Sequence, residues 1–550
     1  MLQVLFFQKN LRLLISILIV LVLPAFVLSC GRGGSRVEQA LNTRIYHVDN
    51  ASEPQSLDPH VSSGVTEQRI QWALFEGLVT MNSKDLSPLP GVAERWEISE
   101  DLLNYRFYLR KNAKWSNGDP ITAEDFRWSW QRALSPKTGT KSAYMLYPIK
   151  NSEAFLKGDI TDFNQVGVRV IDNYTLEVEL GHPAPYFLQI LDHHTAAPVH
   201  RATIEKFGGM TDRFTGWTRP ENMISNGPFT LKSWAINRHV KVEKNDQYWD
   251  KENVWLEGIV YYPIENYAAS ERIFRANQLH QTYEMLTDKV ATYRKDRPEA
   301  LRVNPYIGSY YYQINTTRKP FDDKRVRHAL ALAIDREALI NTALSAVNSP
   351  SYAIVPPGTL GYQPPKLFEF DPEQARKLLA EAGFPNGEGF PKFELLYNTN
   401  DTHRKVAEVV QQMWNKHLNI EAELTNQEWK VYLDSRQQKF FDVSRAGWIG
   451  DYVDPDSFIS LWLTESGNND TGWGNKEYDH LVKNVIPIAK TQQERFDGFY
   501  KAETILMNDM PFIPIFTYET KYLMHETVKG SPPNIMDKFN YKQIYLEAVE

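Results

Sequence analysis

The chain has 550 residues, of which 42% are hydrophobic and 23% charged, and a net charge of −7. That length exceeds what one core organises, so several lobes are expected. The mildly acidic balance, without a Lys/Arg block beyond the N-terminus, argues against a nucleic-acid partner, and a single cysteine excludes an internal disulfide framework.

In chain order, Lys9 and Arg12 precede an uncharged Leu/Ile/Val-dense run from Leu13 to Ser29, interrupted by Pro24. The run is shorter than the roughly 20 residues that span a bilayer. It reads as a secretory signal over residues 1–29. Val27-Leu28-Ser29-Cys30-Gly31 resembles a bacterial lipobox, so Cys30 is the expected lipidation site, followed by a lipidated tether over 30–39. A plain N-terminal membrane anchor is the alternative reading.

A strand is expected at Arg44–Val48, then a turn-rich connection, then a helix from Thr66 to Glu76 stopped by Gly77. Alternating strands follow at 91–98 and 105–110, and Asn117-Gly118 marks a tight turn. Thr122 is placed to cap a helix whose apolar stripe is Phe126, Trp130 and Ala133. Later periodicity predicts one long helix from Asp323 to Leu344, a Pro/Gly-rich loop over 355–365, and a helix over Ala375–Ala382 ended by Gly383. A strand at Phe393–Tyr397, a helix at His403–Leu418 and a strand at Glu421–Leu424 complete a β-α-β alternation, which predicts a mostly parallel sheet.

One stretch concentrates chemistry. A strand-like run over 439–444 leads into Arg445-Ala446-Gly447-Trp448-Ile449-Gly450-Asp451-Tyr452-Val453-Asp454, expected as a loop broken by two glycines. Its guanidinium, indole and carboxylate suit a small zwitterion: Asp451 for an amine, Trp448 as an apolar wall, Arg445 as an orienting charge. The bland alternative is a surface loop holding a buried Trp and a structural Arg–Asp pair. His193-His194 reads as part of a loop and not as a metal site. No catalytic constellation competes: the sequence has no His-Glu-x-x-His, no Walker-type phosphate loop and no Gly-x-Ser-x-Gly elbow. No metal, cofactor or catalytic residue is expected.

Several ordered motifs carry a resemblance. They include Ser56-Leu57-Asp58-Pro59-His60, Gly91-Val92-Ala93-Glu94, Leu109 to Gly118, Asn226-Gly227-Pro228-Phe229, Tyr310 to Asn315, Leu395-Leu396-Tyr397-Asn398-Thr399, Asn426-Gln427-Glu428-Trp429 and the stretch above. Together they resemble the solute-binding proteins of peptide ABC transporters (family 5), and within them the oligopeptide-binding branch. The resemblance implies an α/β, class II periplasmic-binding-protein-like fold, with two α/β lobes around a ligand cleft and an additional inserted lobe. Mapped onto this chain, lobe I is 40–76, 200–306 and 521–550, the inserted lobe II is 77–199, and lobe III is 307–520.

The resemblance further implies a non-enzymatic, monomeric receptor in the cell envelope, periplasmic or on a membrane's outer face. It would hold short peptides between its lobes and hand them to a membrane ABC permease. Asp451 would meet the peptide's ammonium, beside Arg445 and Trp448, with Trp429 also in the ligand set; His403 and Arg436 resemble carboxylate contacts. Two departures stand out: Ser63 where the branch has an acid, and Ser142 where it has a tyrosine, with Tyr144 two residues on. Gly308 and Ile449 stand where some members have a cystine. The same fold could instead take a murein peptide, a dipeptide, an oligosaccharide or a nickel chelate, and a surface lipoprotein for adhesion or peptide sensing is the alternative class.

Overall fold

The computed structural model describes residues 34–62, 64–345 and 347–549, leaving aside the side chains of residues 429 and 430. Cys30 and Ser63 therefore lie outside the described residues, as does the side chain of Trp429. No described helix is long and apolar enough to cross a membrane.

Three sheets organise the chain. The first, in the order Ile45–Asp49, Gly258–Tyr262, His239–Lys244, Phe229–Ala235, is antiparallel except for its first pair. The second, Ala93–Ile98, Asn104–Leu109, Thr175–Glu179, Val168–Asp172, is wholly antiparallel. The third has six strands: Ser349–Pro350, Phe512–Leu523, Leu301–Ile314, Val443–Ile449, Phe393–Asn398 and Ala422–Gln427. Only its last two pairings are parallel. The expected mostly parallel sheet is thus corrected. Helical crossovers enforce parallel pairing locally, but the long strands 301–314 and 512–523 run antiparallel to their neighbours.

Each sheet has its own core. Ile70, Trp217, Val242 and Ile259 pack under the first, and Phe107, Trp130, Leu176 and Phe187 under the second. Tyr312, Leu330, Val410, Trp414 and Phe512 lie within the third. Val453, Ile535 and Met536 pack against both the second and third cores, so the loop after residue 450 and the C-terminal segment join these units.

Local chemistry explains where several elements differ from expectation. Ser35 and Glu38 form a capping box that starts a helix at Arg36–Thr43, so the outer part of the expected tether is helical. The long helix expected at 323–344 is two: Lys324–Leu332 and Arg336–Ala343. Asp335 lies between them, its carboxylate accepting from Ala338 N at 3.0 Å, so an acid read as mid-helix acts as an N-cap. Arg445 to Ile449, expected as loop, are a strand.

Candidate functional site

The strand Val443–Ile449 carries the site. On one side it pairs along its whole length with Leu301–Ile314, from Ile314↔Val443 to Gly308↔Ile449. On the other side it meets only Leu395 and Leu396, opposite Val443 and Ser444. Among the described residues no strand pairs with this second edge from Arg445 to Ile449. The Arg445 carbonyl accepts from the Tyr432 hydroxyl, and the edge beyond it, unpaired from Ala446 to Ile449, is a template for an added strand.

Arg445 stands at one end of this edge. Its Nη2 donates to Tyr518 Oη at 2.6 Å, its Nη1 to Asn398 Oδ1 at 3.4 Å, and the guanidinium lies 4.8 Å from the Tyr310 ring centroid. Among the described residues no carboxylate pairs with it, and its Nε has no hydrogen-bond partner. Two glycines make the space. A Cβ on Gly447 would stand 2.4 Å from Tyr518 Oη and 3.3 Å from Arg445 Nη2; one on Gly308 would stand 2.5 Å from Ile449 Cδ1. Gly308 and Ile449 sit opposite each other in register, and the isoleucine fills the room a side chain at 308 would need.

Beside this end begins the 18-residue helix Asp401–Leu418. Asn400 Oδ1 accepts from Thr402 N and His403 N at 2.8 and 3.2 Å. The helix start favours anions, as an unpaired arginine does. The His403 ring lies 5.5 Å from that of Tyr310, its Nδ1 is buried without a partner, and burial, then the Arg445 charge, push its pKa down to about 2. His403 is therefore neutral and can offer a hydrogen bond but no charge. A cavity of about 250 Å³ opens here, lined by His403, Tyr310 and Tyr518 on one wall and by Tyr283, Tyr306 and Asp537 on another.

Asp451 stands beyond the opposite end. It is half-buried, and loss of solvation raises its pKa to about 6; the Tyr144 hydroxyl, donating at 2.7 Å, opposes that rise. No cation neutralises it among the described residues. Its backbone N–H donates to Ser457 Oγ at 2.9 Å, fixing its place in the loop. The following residues dock on the second unit: Tyr452 stacks on Tyr186 at 4.4 Å, and Val453 N donates to Gln189 Oε1 at 2.8 Å.

The structural Arg–Asp pair weighed for this stretch does exist, but with other residues. Arg495 clamps Asp454 through two bonds of 2.9 Å each, while among the described residues Arg445 and Asp451 pair with neither each other nor any other ion. Trp448 sits opposite Ser309 on the face towards the third core, half-buried, with its Nε1 unpartnered. Arg436 does not stand open: it is bonded to Asp470 at 2.9 Å. The residue that reaches Asp451 is Tyr144, two residues beyond Ser142, the position that matches the branch's tyrosine. The signal in the sequence is its hydroxyl, two residues beyond the matching position.

The family model described as bacterial extracellular solute-binding proteins, family 5 Middle, matches residues 87–470. The periplasmic oligopeptide-binding protein OppA of Salmonella typhimurium is 38% identical over 508 residues, covering 90% of this chain and 92% of that protein. The structure of the Escherichia coli murein tripeptide binding protein MppA superposes with a TM-score of 0.82 at 35% identity, covering 91% of this chain and 98% of that one. The unliganded open form of MppA gives 0.74 at 34% identity, covering 92% and 97%. The architecture is that of class II periplasmic binding proteins: two α/β lobes around a ligand cleft, with a further inserted lobe. The chain belongs to the bacterial extracellular solute-binding proteins of family 5, which bind solutes and catalyse no reaction.

Proposed function

We propose that this protein is an extracytoplasmic receptor that captures short peptides in the interlobe cleft and delivers them to a membrane ABC permease. The observation that carries this reading is the open edge of strand 443–449, bounded by an unpaired guanidinium and an unneutralised carboxylate. A peptide with free termini complements all three features. Its backbone adds to the edge, its ammonium meets Asp451, and its carboxylate meets Arg445 and the start of helix 401–418. Arg445 and Asp451 are six residues apart, about 20 Å at strand rise. An extended peptide of three to five residues covers about 10–17 Å of that span, and the inward-reaching arginine covers the remainder. Backbone recognition leaves the side chains free to vary.

Trp448, His403 and Trp429 complete the proposed ligand set, with His403 as a neutral hydrogen-bonding group. Lobe I (40–76, 200–306, 521–550), lobe II (77–199) and lobe III (307–520) close on the ligand by hinge motion. Lipid on Cys30 holds a monomeric receptor at the membrane near its permease. The relatives named above, an oligopeptide-binding and a murein tripeptide binding protein, support a peptide ligand. Native mass spectrometry of protein purified without denaturation tests the ligand class. Bound masses that fragment as short peptides are expected; a sugar or a metal chelate in their place overturns the reading.

A further inference from the structure

Two arginines flank the carboxylate end of the open edge from opposite faces of the sheet, Arg445 beside Tyr310 and Arg436 beside Gln313. Among the described residues Arg445 has only hydroxyl, amide and ring partners. Arg436, on the helix Trp429–Gln437, donates from Nη2 to Asp470 Oδ2 at 2.9 Å and to Gln313 Oε1 at 3.3 Å. Its Nη1 lies 3.5 Å from the Tyr432 hydroxyl, and that hydroxyl donates to the carbonyl of Arg445. Arg436 thus stands one hydroxyl away from the edge. The ion pair is enclosed, with 14% of the Arg436 side chain and 12% of the Asp470 side chain exposed. The chain next to Asp470 is itself tied down: the Thr471 carbonyl accepts from Thr316 N at 3.0 Å and from Thr316 Oγ1 at 3.1 Å.

We infer that Asp470 is a specificity-determining residue. It holds Arg436 as an internal pair and leaves Arg445, among the described residues at this end, as the single cation open to a ligand carboxylate. The inference rests on the peptide reading above. The site then accepts one carboxylate at this end and discriminates against a ligand that brings a second one on an acidic side chain. Such a group would have to displace Asp470 from an enclosed guanidinium or sit beside it as a like charge, and both are costly where water is scarce. Without Asp470, Arg436 becomes a largely enclosed cation with, among the described residues, only the neutral Gln313 and Tyr432 as partners. That arrangement recruits an anion.

The test compares trialanine with Ala-Ala-Glu and Ala-Glu-Ala, by titration calorimetry on the full chain. The readout is the ratio of the dissociation constants, which a general loss of folded protein does not move. The native protein is expected to prefer trialanine by about tenfold or more over at least one glutamate peptide. In Asp470→Asn that preference falls by about tenfold, and in Asp470→Asn combined with Arg436→Gln it returns. A preference unchanged in Asp470→Asn, or lost equally in the double variant, overturns the role of Asp470 while leaving the peptide reading intact. Native protein that binds none of the three peptides overturns the peptide reading, and this inference with it.

Discussion

Asp451 and Asp454 lie three residues apart and do opposite things. Asp454 is 1% exposed and clamped by Arg495, so Asp454→Asn leaves a buried cation without its partner and is expected to cost about 3–5 kcal/mol. Thermal and denaturant unfolding measure this. Asp451 has no cation among the described residues, and its pKa is raised from 3.8 to about 6 by loss of solvation. A raised folded-state pKa means that the folded chain holds the proton more tightly than the unfolded one. The stability linked to Asp451 is therefore fully present below about pH 4 and is lost as pH rises through about 6. Asp451→Asn in the ligand-free protein is accordingly expected to stabilise it at pH 7, by up to about 3 kcal/mol. A peptide ammonium needs the ionised form, so native affinity should weaken as pH falls below about 6, whereas the weak residual binding of Asp451→Asn should not follow that curve. A flat native profile between pH 5 and 7 would contradict the assignment; about tenfold per pH unit is the largest slope one proton can give. The sequence displayed both acids but could not distinguish them. The difference lies in Arg495, some forty residues on in sequence and a hydrogen bond away in space.

At the scale of elements, the site depends on a strand that stops being paired on one side. Arg445, Ala446 and Gly447 were read as loop because two glycines and an Asp-Pro step follow so closely. Gly447 is not there to turn the chain. It stands where Tyr518 Oη and Arg445 Nη2 would meet any Cβ. Gly447→Ala is expected to displace the Tyr518–Arg445 contact, costing about 1–3 kcal/mol of stability through overpacking and weakening peptide binding about tenfold. Unfolding and titration of the same variant check both, and an alanine tolerated without loss of binding would show that the arginine's placement is not set here. Much else was legible: Thr122 and Asp125 form the capping box of Ala123–Leu134, and Asn400 starts Asp401–Leu418 within two residues of expectation. The break at 333–335 was not, because Asp335 fits a helix pattern and a cap equally well until its partner, Ala338 N, is seen. Nor was the mixed pairing of the six-stranded sheet, since strand direction depends on contacts between segments over a hundred residues apart.

Across the whole molecule, the loop that carries Asp451 belongs to the third unit but docks on the second through Tyr144, Gln189 and Tyr186. The cavity beside Arg445 has walls from the first and third units. A ligand spanning the edge would touch all three, as the hinge closure proposed above requires. The two charges at the ends of the edge are the part of this account that a ligand must satisfy. The most direct measurement is titration calorimetry of one tripeptide in three forms: free termini, N-acetylated and C-amidated. With free termini, a dissociation constant of about 1 μM or tighter is expected, equivalent to about −8 kcal/mol. Each blocked form should bind at least about tenfold more weakly, and the penalty for acetylation should vanish in Asp451→Asn. Equal binding of the acetylated and free peptides by the native protein would contradict the account.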